Sequence, residues 1–347
     1  MLPRVAVIIV TYQGRQYVPD CLSSLQAVDY PADRWETVVV DNASADGTVE
    51  YIRQKFPHAT VLVQDINTGF TGANNRGLQY ALDRGFDFAY LLNQDTAVHP
   101  GFLRQALQVA ETDARIAAVQ SKLLLHGTAK INSWGNAIHF MGFGYAGGNG
   151  MPDVPLTVRD IAYPSGAAVL LRCAVLRRVG LLDAAMFMYH EDLELGWRLW
   201  LAGYRCVVAP LSVVYHKYEF SRSVAKWHWM ERNRIRVLLT HYRWRTLALL
   251  VPAVLMVDGG MILLSARHGL LGQLLTAHAY YFRPSTWPLL GRRRREVQRL
   301  RRVPDREVVK RFVSRIEFQD SPPTGFTQVA NAVFGWYWRA VSPLIRW

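Results

Sequence analysis

The chain has 347 residues, with 40 Lys and Arg against 27 Asp and Glu, so its formal charge at neutral pH is +13. Half of its residues are apolar and 19% are charged, which excludes a disordered or low-complexity protein. The charge is unevenly placed: residues 1–216 carry a net −2 and residues 217–347 a net +15, and the latter also hold 7 of the 11 Trp residues.

A basic segment interleaved with Trp, Tyr and Leu runs fits a membrane surface better than a nucleic acid, whose phosphates the acidic first part would repel. Cys21, Cys173 and Cys206 are far apart and give neither a zinc spacing nor a disulfide framework, as in a reducing compartment.

In chain order, residues 5–10 form an unbroken apolar run, too short for a signal peptide, that reads as a buried strand. A polar loop at 11–14 leads into a helix ending near Leu25. A strand at 37–40 ends at Asp41, a helix starts near Thr48, and a strand at 61–63 precedes a helix over 71–84. The strand at 88–92 ends in Asn93-Gln94-Asp95, and Pro100 opens another helix. Strands apolar on both faces and separated by helices predict βαβ units and a mostly parallel sheet. Residues 126–163, rich in Gly, Asn and aromatics, read as irregular loops that could cover a site. A helix is expected over 191–202, then one strand at 205–208 and another at 213–216.

Ligands of such sheets bind beyond the carboxyl ends of the strands. Three polar clusters fall there: Thr11-Tyr12, Asp41-Asn42 and Asn93-Gln94-Asp95. Asp95 could ligate a hard divalent cation on a diphosphate, or could serve only as a turn residue. Asp41 equally suits an Asx turn. Asn67, Gly69, Gly72, Asn74 and Asn75 suit a helix start, or a backbone open to close approach by a nucleotide. Asp192 shares a helix face with Leu195 and Leu199, so apolar packing could raise its pKa for general-base work. The bland alternative for Glu191-Asp192 is a carboxylate pair favoured by the helix dipole. Glu194 and Arg198, four apart, read as a surface ion pair, and His216 as a structural histidine.

Six ordered blocks carry a resemblance over residues 5–216: VIIVTYQGRQYVPDCLSSL, VVVDNASADGT, NTGFTGANNRGL, LLNQDT, SGAAVLLR and FMYHEDLELGWRLWLAGYRCVVAPLSVVYH. Together they resemble the family 2 glycosyltransferases, in particular the bacterial rhamnosyltransferase-like branch. The resemblance implies an α/β chain with the GT-A fold, a Rossmann-like, mostly parallel sheet flanked by helices. It implies a transferase domain over 1–220, followed by a basic, Trp-rich helical region over 221–347. It implies Thr11, Tyr12 and Asp41 around the nucleotide, Asn67, Gly69, Asn74 and Asn75 around ribose and diphosphate, and Asp95 as the last carboxylate of a DxD-type motif. Asn93 stands at the first position of that motif, which leaves one carboxylate fewer. His216 becomes a second metal ligand for Mg²⁺ or Mn²⁺, Asp192 the catalytic base with Glu191 beside it, and Arg198 a phosphate or acceptor contact.

The implied activity is inverting transfer of a hexosyl group, rhamnose first among candidates, from a nucleotide-diphosphate sugar to a polyprenyl-linked glycan acceptor. Galactose, N-acetylglucosamine or mannose as the sugar, or polyprenyl phosphate as direct acceptor, are the alternatives within the class. A catalytically inactive membrane scaffold is the alternative outside it. Nucleic acid is not an expected partner.

In the last third, 21 residues between Arg245 and Arg267 contain one charge, Asp258. The length suits a membrane span, yet a central Asp costs about 2.5–3.5 kcal/mol on insertion scales, and a single span would separate the basic flanks. A re-entrant hairpin or interfacial helices on the cytoplasmic face of the bacterial plasma membrane fit better; buried helices or a dimer interface are the soluble alternative. Residues 292–315 hold 11 Lys and Arg against 3 acids, and such a stretch favours anionic headgroups at about 1 kcal/mol per residue. The terminal GWYWRAVSPLIRW resembles an aromatic interfacial anchor.

Overall fold

The computed structural model describes residues 2–218, 225–316 and 325–347; the expected boundary at 220/221 lies outside the described residues. The first half follows the apolar runs: β1 (Val5–Thr11), α1 (Val18–Leu25), β2 (Trp35–Asp41), α2 (Thr48–Lys55), β3 (Thr60–Val63), α3 (Gly69–Asp83), β4 (Phe88–Asn93), β5 (Thr96–Val98) and α4 (Phe102–Glu111). Then come β6 (Ile116–Leu125), β7 (Ile131–Ser133), β8 (Asn136–His139), β9 (Gly144–Ala146), β10 (Arg159–Asp160), β11 (Ala168–Arg172), α5 (Cys173–Val179), α6 (Glu191–Leu201) and β12 (Arg205–His216). The last third is α7 (Ala225–His241), α8 (Trp244–Arg267), α9 (Leu271–Ala279), α10 (Thr286–Leu300), α11 (Asp305–Val308), β13 (Phe312–Val313) and α12 (Gly325–Val341).

The strands order as β10-β12-β6-β11-β4-β1-β2-β3, with β5 on β12 and β7 on β6. β3, β2, β1 and β4 are parallel, as are β6 and β12, whereas β11 runs antiparallel between β4 and β6. The sheet is therefore mixed. Register brings Thr11 beside Asp41 and Val10 beside Asn93, which lines the polar clusters along one edge. The expected pair of strands at 205–208 and 213–216 is one strand, β12, whose register slips between Ala209 and Val213. Pro210, which has no N–H to donate, sits at that slip. Residues 126–163 are more regular than their composition suggests: β7 extends the main sheet, and β8 and β9 join β13 in a small second sheet.

One apolar core runs from Ile8 and Val38 through Trp197 to Leu250, Val297 and Trp338, so the C-terminal helices pack on the α/β body. α8 is one continuous helix, so the apolar run between Arg245 and Arg267 does not fold back as a re-entrant hairpin. Its single acid is neutralised inside the protein: Arg234 Nη2 donates to Asp258 Oδ1 at 2.7 Å and to Glu231 Oε1 at 2.6 Å. His278 Nε2 lies 3.3 Å from the same Glu231 oxygen. These acids could hold a metal ion by proximity alone, but a buried guanidinium already serves them as the cation.

Candidate active site

The carboxyl edge of the sheet assembles the site from left to right. Tyr12, half exposed, is held by Gln94, whose Oε1 accepts from Tyr12 N (3.1 Å) and whose Nε2 donates to Tyr12 O (3.3 Å). Asp41 is buried, with one oxygen accepting from Thr11 Oγ1 (3.0 Å) and the other from Ser44 N (2.9 Å). It therefore shapes the β1–β2 edge from below and offers no open carboxylate. Asn42 ties this edge to α3: its Nδ2 donates to Asn67 Oδ1 (2.9 Å) and its Oδ1 accepts from Thr68 N (2.9 Å).

At the start of α3, Asn67 Oδ1 also accepts from Gly69 N (2.8 Å). Gly69 has φ +73°, and a Cβ there would meet Phe187 O at 2.4 Å. That close approach, not a ligand, requires the glycine. Asn74 donates to Phe70 O (2.9 Å), and Asn75 clasps Leu182 through O (2.9 Å) and N (3.0 Å). Asn75 thus fastens α3 to the segment that precedes α6, whereas the Asn74 bond stays within α3.

The β4–β5 turn presents Asp95, and antiparallel pairing of His216 with Thr96 places β12's last residue beside it. His216 Nε2 lies 3.3 Å from Asp95 Oδ1. Asn132 Nδ2 turns to Asn149 Oδ1 (3.4 Å), so Asn132 Oδ1 faces His216 Nδ1 at 2.8 Å. That acceptor takes the Nδ1 proton and turns Nε2 toward the carboxylate. An imidazole nitrogen and a carboxylate oxygen at that distance are joined by a proton, as an ion pair, or by a divalent cation, and their N and O donors fit Mg²⁺ or Mn²⁺.

A cavity of about 330 Å³ opens beside this pair, lined by Asn93, His216, Tyr163, Phe70, Glu191 and Asp192 among others. Asp192 Oδ2 accepts from Gly166 N (3.1 Å) and Oδ1 from Leu193 N (2.7 Å). Burial raises its pKa to about 6 against the pull of those N–H donors. Burial, with the Asp192 charge adding, pushes Glu191 well above the ordinary range. Glu191 Oε2 is buried and has no hydrogen-bond partner among the described residues. The pair thus divides: Glu191 holds its proton more tightly than Asp192, whose pKa of about 6 suits it to take a proton near neutral pH.

Arg198 is not at the site. Its Nε and Nη2 donate to Glu194 (3.1 and 3.0 Å), and its remaining N–H groups go to Val179 O, Gly180 O and Leu181 O. All five donors are used inside the protein, so it can contact neither phosphate nor acceptor in this fold. The Glu194–Arg198 pair is also not on the surface, because α6 is covered on nearly every face. A spacing argument assumes one solvated helix face, and here the C-terminal helices remove it. Sequence reading missed Asn132, Tyr163 and Gly166, which have no short-range signature and meet the site only through the fold.

Comparison with known proteins accords with this geometry. A family model, "Glycosyltransferase like family 2", matches residues 3–238. The chain is 28% identical over 233 residues to the N-acetylglucosaminyl-diphospho-decaprenol L-rhamnosyltransferase of Mycobacterium tuberculosis, covering 60% of this chain and 75% of that one. Among solved structures, GalNAc-T7 with UDP, GalNAc and Mn²⁺ has a TM-score of 0.56 at 17% identity, over 69% of this chain and about half (48%) of that one. The mannosyltransferase PcManGT from Pyrobaculum calidifontis, in complex with GDP-Man and Mn²⁺, has a TM-score of 0.51 at 17% identity, over 99% and 87%. At such identities these structures establish the fold, GT-A. The family match spans both the carboxyl edge of the sheet and α6, and the chain belongs to the family 2 glycosyltransferases.

Proposed function

We propose that this glycosyltransferase is inverting and metal-dependent, and moves a sugar from a nucleoside-diphosphate donor to a lipid-linked glycan at the cytoplasmic face of the bacterial plasma membrane. One observation carries the reading: Asp192, with its pKa raised by burial to about 6, faces the same cavity as Asn93 and His216. The mycobacterial relative's name, a rhamnosyltransferase acting on a decaprenyl-diphosphate sugar, makes dTDP-rhamnose the first donor to test.

In this reading Tyr12 and the Asn67–Gly69 turn frame the nucleotide, while Asp95 and His216 hold the cation. Bound there, a divalent cation neutralises charge on the departing diphosphate. Asp192 takes the proton from an acceptor hydroxyl, and that oxygen attacks the anomeric carbon from the face opposite the leaving group. A single displacement inverts the configuration and needs no covalent enzyme intermediate. Glu191, uncharged, leaves Asp192 as the single anion of the pair, so proton transfer is not opposed by a second charge.

The C-terminal region supports the membrane part of the reading. On α8, Val251, Leu255, Met256, Ile262 and Leu263 face outward, with Leu255 67% and Leu263 69% exposed. Phe282, Trp287 and Leu289 add exposed apolar surface next to the exposed cations Arg292 and Arg295. Apolar side chains beside cations match the interface of an anionic bilayer, where a lipid-linked acceptor is met.

The test is a thermal-shift screen of nucleotide sugars with Mn²⁺, followed by transfer assays with whichever donor stabilises the protein. Stabilisation by a nucleotide sugar with turnover upholds the proposal. Absence of both binding and donor hydrolysis across the panel makes the chain an inactive scaffold instead.

A further inference from the structure

The turn that delivers Asp192 is held in an unfavourable backbone conformation. Phe187, Tyr189 and His190 have φ of 65°, 65° and 68°, yet none is glycine. Such residues persist only where the surroundings over-determine them. Here the surroundings are α7. Asn233, fully buried, aims Nδ2 at the carbonyl oxygens of Met186, Met188 and Tyr189, at 2.9, 2.9 and 2.8 Å. Its Oδ1 accepts from Arg232 Nε (3.1 Å) and Nη2 (3.0 Å), which fixes the amide's orientation. Arg232 Nη2 also donates to Met186 O (3.0 Å), and the ring of Trp229 stacks on Phe187 at 4.7 Å.

The segment is anchored on both sides of that amide. Upstream, Arg236 Nε donates to Asp183 Oδ2 at 2.7 Å. Downstream, Arg293 of α10 donates to Glu194 at 2.8 Å, two residues past Asp192, and lies 3.5 Å from Asp183. α7 and α10 thus grip the chain before and after the base; in the gap between the grips Arg232 holds Met186 O, and Asn233 reaches further, to the carbonyls of Met188 and Tyr189 next to the base.

We infer that Asn233 is a positioning residue for Asp192: by gathering the carbonyls of Met186, Met188 and Tyr189, it holds the left-handed turn from which the base enters the cavity. This deepens the glycosyltransferase reading and rests on it. Without the amide's N–H groups, the carbonyls of Met188 and Tyr189 lose the donor they share, while Met186 O keeps Arg232 Nη2, and the turn relaxes toward ordinary backbone. The start of α6 moves with it. The strand-end part of the nucleotide edge, on β1, β2 and β4, and the Asp95–His216 pair, at β5 and β12, do not touch this turn; the start of α3 meets it at Phe187 O, which accepts from Thr71 N at 3.0 Å. The C-terminal helices are therefore part of the catalytic apparatus, not an appended surface anchor.

The test uses the full chain with Asn233→Leu, similar in volume and without donors, and Asn233→Asp, similar in shape and acceptor-only when ionised. Tyr242→Phe is the control, since it removes one buried hydrogen bond, to Phe140 O, without touching the turn. Three quantities are read: kcat for transfer, binding of dTDP and of UDP with Mn²⁺ by calorimetry, and hydrogen exchange over residues 183–193. The expected result is a kcat lowered at least tenfold in both Asn233 variants, with nucleotide binding within twofold of wild type. Faster exchange is expected at 186–193 alone. The control keeps its kcat within twofold and its exchange at 186–193.

A folded Asn233→Leu or Asn233→Asp protein with kcat within twofold overturns the inference. So does a joint loss of turnover, nucleotide binding and protection across the sheet, which marks Asn233 as a general stability residue. Should Asn233→Leu fail to fold, Asn233→Asp decides. If wild type shows neither nucleotide binding nor turnover, the glycosyltransferase reading has failed separately. Unchanged exchange at 186–193 in the Asn233 variants then still overturns the positioning role, and faster local exchange sustains it.

Discussion

Arg293 Nη2 donates to Glu194 Oε1 at 2.8 Å, and this pair joins the basic helix α10 to the helix that carries Asp192. Burial pushes the Glu194 carboxyl up, but the Arg198 and Arg293 charges outweigh it and hold the carboxyl well below the ordinary range. An arginine from the most basic stretch of the chain is thus committed to the interior.

Breaking a buried pair strands a charge that has already lost its water. Arg293→Met is expected to destabilise the protein by about 3 kcal/mol. Arg292→Met, one residue earlier with a side chain 79% exposed, should change stability by no more than about 0.5 kcal/mol. Denaturant unfolding of both variants checks this, and equal losses would refute the buried-bridge account.

Asp192→Asn is expected to lower kcat by about 10²–10⁴, the usual contribution of a general base, while binding of dTDP or UDP with Mn²⁺ stays unchanged. Near-normal turnover would remove Asp192 from the base role.

The same residue sets a pH dependence. With Asp192 as the proposed base, transfer requires its ionised form, so kcat/KM should fall as pH drops through about 6 and level off above it. Stability runs the other way. Between the ordinary value of 3.8 and about 6, the folded state keeps a proton that the unfolded chain has lost. This group's contribution therefore declines as pH rises through that window and the cost persists above it. Asp192→Asn should accordingly be more stable than wild type at pH 7–8, on the order of 3 kcal/mol, and no more stable at pH 3.5. Thermal melts at the two pH values decide the matter.

Replacing His216 by Ala leaves Asp95 as a lone carboxylate and should abolish Mn²⁺-dependent nucleotide binding, as should Asp95→Ala. His216→Asn is a sharper probe, since it retains polarity but loses the imidazole nitrogen that faces Asp95 at 3.3 Å. Calorimetry with and without chelator reads the effect; retained Mn²⁺ dependence in all three variants would place the cation elsewhere.

Leu255→Glu with Leu263→Glu puts two charges on the outward face of α8. Co-sedimentation with anionic liposomes should drop several-fold, with stability within about 0.5 kcal/mol per site because both side chains are exposed. Deletion of the whole tail cannot serve for this test, because α7 and α10 support α6. Unchanged liposome binding would assign α8's outer face to another partner.

Apart from the three-residue β5, the strands and helices through α4 were readable because each is a local apolar pattern, and a strand buried on both faces needs no partner to be recognised. Thr11, Asp41, Asn93 and Asp95 were readable as residues at strand ends, since parallel βαβ units bring all such ends to one edge. Their roles were less so. Asp41 and Asn75 look alike as polar residues in turns, and only the hydrogen bonds to Thr11, Ser44 and Leu182 show that both are engaged within the protein.

Strand and helix patterning with the resemblance of six ordered blocks indicated an α/β chain of the family 2 glycosyltransferases and proposed Asp192 and Asp95 as its carboxylates, and the charge count placed the excess in the last third. Tertiary structure alone decided what that charge does. Arg234, Arg236 and Arg293 are drawn inward to neutralise Asp258, Asp183 and Glu194, while Arg292 and Arg295 stay outside. The physical reason is that a charge count has no direction. Whether an arginine meets a headgroup or a buried carboxylate depends on which helix covers it, and that is set by contacts between residues as much as a hundred positions apart.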